Sequence, residues 1–193
     1  ELERLHTRAE RWEPLLELYL NRLEYLEEVP VRNELLRRIA RVFEERLDDA
    51  NQAFDALVTA FSDDYGDDQT SAYLERMAQV TGRWGELINS ANAWLQDEED
   101  PRKLIQLGLR LGKWYGEDLG RPEYAMPYFQ KVLEMDPQNT RVMRQMAAID
   151  RLAGNYQKAG AILNRALEVA VVNEDRKAIL VDLGDILYRN LDQ

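Results

Sequence analysis

Apolar residues recur along the chain at spacings of three, four and seven, which is the pattern of amphipathic α-helices. The run through Leu35, Ile39 and Phe43 shows it, whereas strand-like alternation is nowhere sustained. Polar or glycine-containing turns separate the runs, and Asp100 before Pro101 is typical of a helix start. The predicted helices cover about residues 1–9, 12–27, 33–47, 50–61, 71–81, 84–96, 101–117, 122–134, 141–152, 156–170 and 175–190. This is an all-α pattern of five helix pairs and one further helix.

An internal repeat runs through these helices. Trp12, Trp84 and Tyr156 each begin an apolar run after a polar turn, and successive members are 72 residues apart. Each block of 72 divides in two, because equivalent apolar positions recur alternately after 37 and 35 residues. These positions are Leu2, Ile39, Leu74, Leu111, Met146 and Leu183. One such helix pair cannot bury its own apolar face, so we expect the pairs to stack into an α-solenoid and residues 1–193 to form a single repeat domain.

Two of the units share a longer motif. One contains Leu111-Gly112, Tyr115, Leu119-Gly120, Ala125, Phe129, Leu133 and Asp136-Pro137. The other contains Met146-Ala147, Gly154, Tyr156, Ala159, Leu163, Ala166 and Leu167. These residues resemble the leucine-glycine, tyrosine, glycine turn, alanine, aromatic residue and closing proline of the tetratricopeptide repeat (TPR). The first unit has one residue extra between Gly112 and Ala125, and Glu3 and Glu75 stand where the family has a small residue.

The resemblance implies a fold and a role. The fold is an α-α superhelix, right-handed, in which the first helix of each pair lines a concave groove. The role is that of a scaffold that binds other proteins in the groove, and since no catalytic residue carries over, we expect no enzyme activity. The chain is similar to the degenerate arrays of larger bacterial proteins, and we expect it to be a fragment of a longer array.

The composition of the chain disfavours several classes of partner and of functional site. Lys and Arg total 25 against 36 Asp and Glu, a formal net charge of −11, which opposes binding to nucleic acid or anionic lipid. Pentatricopeptide repeats, which share the helix pair and bind RNA, are disfavoured for the same reason. The chain has no cysteine and one histidine, His6, so we expect no metal site, no cofactor and no catalytic triad. No apolar stretch is long enough for insertion into a membrane.

Positive charge is nevertheless concentrated on the predicted first helices. The resemblance places in the groove the residue two positions after each buried Leu, Ile or Met, and also the residue one turn before it. The cations at these places are Arg4, Arg37, Arg41, Arg76, Lys113 and Arg144. Such a row would suit an acidic or carboxylate-bearing peptide held by bidentate arginine contacts. The alternative is an ordinary solvated helix face, with Arg41 paired to Glu44 or Glu45 and Arg38 paired to Glu34.

Glycines recur every four residues at positions 108, 112, 116 and 120. Each glycine inside a helix costs about 0.5–1 kcal/mol relative to alanine, so a compensating interaction is expected. The sequence predicts close approach of a neighbouring helix at Gly112, which aligns with Ala40 and Gly184. The alternative is a hinge in the superhelix.

The last predicted helix is apolar over more of its circumference than one neighbour can cover. Its apolar residues are Ala178, Ile179, Leu180, Val181, Leu183, Ile186, Leu187, Tyr188 and Leu191. A helix that caps a solenoid should instead have a polar outer face. The alternative function is therefore structural: end-to-end self-assembly through exposed terminal repeat helices, with a homo-oligomer formed through the C-terminal helix.

Overall fold

The computed structural model describes the backbone of residues 1–190 and the side chains of residues 1–188. These residues contain eleven α-helices and no strand: α1 Leu2–Arg8, α2 Trp12–Leu23, α3 Val29–Arg46, α4 Ala50–Asp63, α5 Asp68–Thr81, α6 Trp84–Asp97, α7 Pro101–Lys113, α8 Pro122–Met135, α9 Thr140–Leu152, α10 Tyr156–Val169 and α11 Asn173–Asn190. The predicted all-α fold and its eleven helices are confirmed. The helices lie in two compact units, Glu1–Asp97 with α1–α6 and Glu98–Gln193 with α7–α11. The single repeat domain over residues 1–193 stays a prediction.

Helix starts follow the local chemistry of the chain. The predicted cap is confirmed at α7, where the Asp100 carboxylate accepts a hydrogen bond from the Arg102 backbone N–H at 2.9 Å. The prediction was less accurate for α3, which begins at Val29 instead of residue 33 because Pro30 fits the first turn of a helix. Helix α5 begins earlier than predicted because Asp67 caps the backbone N–H groups of Gln69 and Thr70.

The first helices α1, α3, α5, α7 and α9 are each followed by a residue with left-handed backbone conformation. These residues are Glu10, Asp48, Gly82, Gly120 and Gly154, with φ between 52° and 80°. Equivalent members are again 72 residues apart, so the repeat found in the sequence is present in the backbone. The left-handed residue reverses the chain and lets the second helix begin two residues later.

Helices α7 and α8 pack closely against each other at glycine residues of α7. A methyl group built on Gly112 would overlap the ring of Phe129 in α8, and one built on Gly108 would lie 2.8 Å from Val132 Cγ2. The predicted close approach at Gly112 is confirmed. Gly116 differs, since a methyl group there would meet Ala125 Cβ at an ordinary 3.7 Å.

The extra residue in the α7 unit has a visible structural effect. A π-helical turn, Trp114–Asp118, continues α7, and the Leu119 N–H donates to the Trp114 carbonyl five residues earlier at 2.8 Å. A π turn holds one residue more than an α turn, so the insertion is absorbed without loss of the helix. Trp114 is fully buried, as expected of a core residue.

Candidate partner-binding groove

In the unit of α7–α11, one face of α9 lies between two clefts. The larger cleft, of about 310 Å³, lies on the side of α11, and the smaller, of about 140 Å³, lies on the side of α7. Gln145 and Ala148 line both clefts, so the two form one groove across the first helices of this unit. We call this feature the α9 groove.

The sequence of α9 places these side chains on one face. Asn139 fixes the helix start by accepting a hydrogen bond from the Val142 N–H at 3.0 Å. The core side of α9 is formed by Val142, Met143, Met146, Ala147 and Asp150, all buried. The groove side is formed by Arg141, Arg144, Gln145, Ala148 and Arg151, at intervals that keep them on one face of the helix.

Charges in the larger cleft are only partly neutralised. The Arg144 guanidinium pairs with the Asp182 carboxylate of α11 at 2.7 Å. Arg141 and Arg151 are exposed, and neither guanidinium has a carboxylate within ion-pair distance among the described residues. Sequence reasoning missed both arginines, although their spacing of three and seven residues from Arg144 could have indicated the shared face.

The smaller cleft is more apolar. Lys113, one of the predicted groove cations, lines it and pairs with Asp118 at 3.6 Å. Phe129 and Ile149 form part of its wall, together with Leu152, which is 75% exposed. The α9 groove therefore combines an apolar section beside α7 with a basic section beside α11.

In the unit of α1–α6, two predicted groove cations hold neighbouring helices together. The Arg37 side chain is only 12% exposed, pairs with Asp67 and donates to Thr70 Oγ1 at 2.9 Å. It also pairs with Glu34 at 2.9 Å, and this hydrogen bond is the main cause of the lowered pKa of Glu34. Arg37 thus joins α3 to the start of α5.

Arg76 joins the same two helices further along. Its guanidinium makes a bidentate pair with Glu44 at 2.5 and 2.7 Å and stacks 4.8 Å from the ring centroid of Tyr73. The hydrogen bond from Arg76 is the main cause of the lowered pKa of Glu44. Burial, together with the hydrogen bond that the phenol donates to Glu44, raises the pKa of Tyr73.

Two predicted groove cations of this unit remain accessible. Arg4 and Arg41 are exposed, and neither forms an ion pair within the described part of the chain. The solvated-face alternative is correct for Arg38, which pairs with Glu34 at 3.0 Å, but Arg41 does not pair with Glu44, whose carboxylate is bound by Arg76.

A common rule links these pairs. Cations on one first helix bind carboxylates on the neighbouring first helix, as in Arg38 with Glu3, Arg76 with Glu44 and Arg144 with Asp182. The partners are 32 to 38 residues apart, about one repeat. Sequence reasoning considered only pairs within one helix and therefore missed them.

Among the residues that the structure describes, no three His, Asp or Glu side chains are grouped so that they could hold a metal ion. None of the described helices combines the length and the apolar character needed to cross a bilayer.

Comparison with known proteins places the fold. Residues 118–183 match the family model described as tetratricopeptide repeat. Solved structures that match include the crystal structure of MamA, with 15% sequence identity and a TM-score of 0.51 over 92% of this chain and 97% of that chain. No curated protein sequence matches significantly. Residues 118–183 are thus similar to the tetratricopeptide repeat family, and the helix pairs, the 72-residue backbone period and these matches show a TPR-like all-helical fold.

Proposed function

We propose that this chain is a non-catalytic scaffold that binds a segment of a partner protein along the exposed faces of its first helices. The family model that residues 118–183 match and the TPR-like fold are typical of protein-interaction scaffolds. The observation that supports this proposal most directly is the α9 groove, in which a basic and an apolar section lie on the same face of one helix. Pockets that bind peptides usually combine apolar lining with a few placed charges.

The charge pattern suggests the chemistry of the segment. Arg141 and Arg151 are the arginines of the larger cleft whose charge is not met by a neighbouring carboxylate within the described residues. They lie ten residues apart on α9, or about 15 Å at the rise of an α-helix. An extended peptide covers this distance in four or five residues. The expected ligand therefore carries two acidic residues four or five positions apart and an apolar residue for the section beside α7.

The six cations predicted from the sequence have different parts in this proposal. Arg4 and Arg41 are free to contact an acidic ligand. Arg37, Arg76 and Arg144 hold the first helices at a fixed spacing through their ion pairs. Lys113 marks the side of the smaller cleft.

Fluorescence anisotropy with labelled peptides tests the proposal. The probes are extended twelve-residue peptides with two glutamates four or five positions apart, and the matched peptides with glutamine at both places. We expect the glutamate peptides to bind more tightly, and Arg141→Ala combined with Arg151→Ala to weaken them at least tenfold. The control is Lys131→Ala combined with Arg165→Ala, which removes two exposed cations from second helices and should leave binding unchanged. Equal binding of glutamate and glutamine peptides would contradict the proposal.

Self-assembly through the terminal helix is the alternative function. Leu180, Val181, Leu187 and Tyr188 of α11 are exposed, which supports an interaction at this surface. Leu191, which the sequence assigns to the same surface, lies outside the described residues.

A further inference from the structure

One carboxylate lies among the apolar side chains of the smaller cleft. Glu117, in the π-helical turn that continues α7, lines this cleft together with Phe129, Ile149 and Leu152. Glu117 is exposed, and its carboxylate forms no ion pair within the part of the chain that the structure describes. The apolar section of the α9 groove therefore carries a negative charge that a ligand can meet.

The π-helical turn determines which carboxylate Lys113 binds. In an α-helix, side chains four residues apart are neighbours, which would bring Lys113 close to Glu117. A π turn holds one residue more, so side chains five residues apart come to the same side of the helix. Lys113 pairs with Asp118, five residues later, at 3.6 Å. This pairing leaves the Glu117 carboxylate available to a ligand.

The charges that stay unpaired differ between the two sections of the α9 groove. In the larger cleft they include the guanidinium groups of Arg141 and Arg151, and in the smaller cleft the carboxylate of Glu117. Charge complementarity of this kind contributes more to the choice of ligand than to the strength of binding. A ligand that meets all three charges carries acidic side chains in one part and a basic side chain in another.

The position of each cleft along α9 sets the order of these contacts. Arg141 lies in the first turn of α9, whereas the smaller cleft takes Ile149 and Leu152 from its C-terminal half, next to Arg151. A ligand that follows α9 from Arg141 to Arg151 therefore reaches the smaller cleft last. Packed helices are about 8–10 Å apart, which an extended peptide covers in about three residues. The order along the ligand is acidic, acidic, apolar and basic, read in either chain direction.

The walls of the α9 groove all come from one compact unit. The residues that line its two clefts lie between positions 112 and 186, and the structure describes all of them. First helices stand on both sides, α7 on one and α11 on the other. The shape of the groove and the place of Glu117 in it therefore follow from these residues alone.

We propose that Glu117 is a specificity-determining residue of the α9 groove and selects a partner segment with a basic residue beside its apolar residue. This inference rests on the proposed function and adds to the acidic pair a charge of opposite sign. A lysine or arginine of the ligand pairs with the Glu117 carboxylate, whereas an acidic residue at the same place is repelled. The groove thereby prefers segments of mixed charge to uniformly acidic ones.

Fluorescence anisotropy with two labelled peptides of equal composition tests this selection. Each peptide has twelve residues, with two glutamates four positions apart, one leucine, one lysine and otherwise uncharged polar residues. In the first order the lysine follows the leucine, and in the second it precedes both glutamates, so the net charge is the same. Both orders are also made in the reverse chain direction, and the tighter direction of each is compared. We expect the wild-type chain to bind the first order about fivefold more tightly.

Three variants of the chain assign the preference to one carboxylate. Glu117→Gln keeps the shape of the side chain and should abolish the preference, whereas Glu117→Lys should reverse it. The control is Glu134→Gln, which removes an exposed carboxylate of α8 that has no ion pair among the described residues. This control should keep the preference of the wild type. Circular dichroism at 222 nm should show the same helix content in all three variants.

A double-mutant cycle measures the contact itself. It combines Glu117→Gln in the chain with glutamine for the lysine of the first peptide, and we expect a coupling of about threefold or more. Equal binding of the two orders by the wild type, or an unchanged preference in Glu117→Gln, would overturn this inference. The acidic-pair proposal would then still stand, because it is tested by the glutamate and glutamine peptides. If neither order binds the wild type, both proposals fail.

Discussion

Alanine at two equivalent glycines should have opposite effects on stability. In a helix interior, alanine in place of glycine gains about 1 kcal/mol. At Gly112 the new methyl group overlaps three atoms of the Phe129 ring, which is only 2% exposed and has little room to move. Forcing a methyl group into a packed core costs about 1–3 kcal/mol, and this overlap belongs in the upper half of that range. Gly112→Ala should therefore lower the free energy of unfolding by about 1–2 kcal/mol, whereas Gly184→Ala should raise it by about 1 kcal/mol.

Urea unfolding followed by circular dichroism at 222 nm measures both effects. Gly112 and Gly184 lie in the same compact unit, so the two variants report on the same transition. The expected difference of about 2–3 kcal/mol between them corresponds to a separation of midpoints of about 1 M urea or more. If both variants shift the midpoint in the same direction, either the close approach at Gly112 or the free space that the described residues leave around Gly184 is refuted.

Three further predictions concern helix ends and ionisable groups. Glu10 has φ 52°, which is costly for a residue with a Cβ, so Glu10→Gly should raise the free energy of unfolding by about 1 kcal/mol in urea titration, and an unchanged midpoint would contradict this. Arg76 lowers the pKa of Glu44, so on acidification the unfolded state binds the proton before the folded state does. The pair should therefore contribute its whole stabilisation above about pH 4.5 and lose it as the pH falls further. Thermal melts recorded from pH 6 to 3 should show a weaker pH dependence for Arg76→Gln than for the wild type. Burial and a hydrogen bond to Glu3 raise the pKa of Tyr19 to about 12, so its contribution to stability should be lost between about pH 10 and 12. Absorbance at 295 nm should show a tyrosine that titrates near pH 12 and is missing in Tyr19→Phe.

Much of the fold could be predicted because the relevant signals are local or periodic. The apolar spacing marks the helices, the left-handed glycines mark the ends of first helices, and the small residue at Gly112 marks a close approach. The extra residue before Ala125 was visible as well, but its consequence was not. A single insertion can be absorbed by a loop, a bulge or a π turn, and the chain places it in the π turn at Trp114–Asp118.

The candidate site was harder to predict because it depends on contacts between repeats. The resemblance correctly identifies the helix that carries Arg144, but not that Asp182, 38 residues later, pairs with it. Arg141 and Arg151 lie outside the two positions per helix that the resemblance considers. Which cations remain accessible depends on rotamers and helix spacing that no single-helix pattern contains.

The ion pairs between first helices decide which groove arginines can add binding energy. A ligand carboxylate reaches Arg37, Arg76 or Arg144 only by displacing a carboxylate that is already bound, so one ion pair replaces another and little is gained. At Arg141 and Arg151 a ligand carboxylate would displace only water, because no carboxylate among the described residues pairs with either guanidinium. Within the α9 groove, binding energy should therefore be concentrated at these two residues, while the paired Arg144 holds α9 and α11 at a fixed spacing. On this reasoning a groove that looks uniformly basic in sequence can still select where an acidic segment binds.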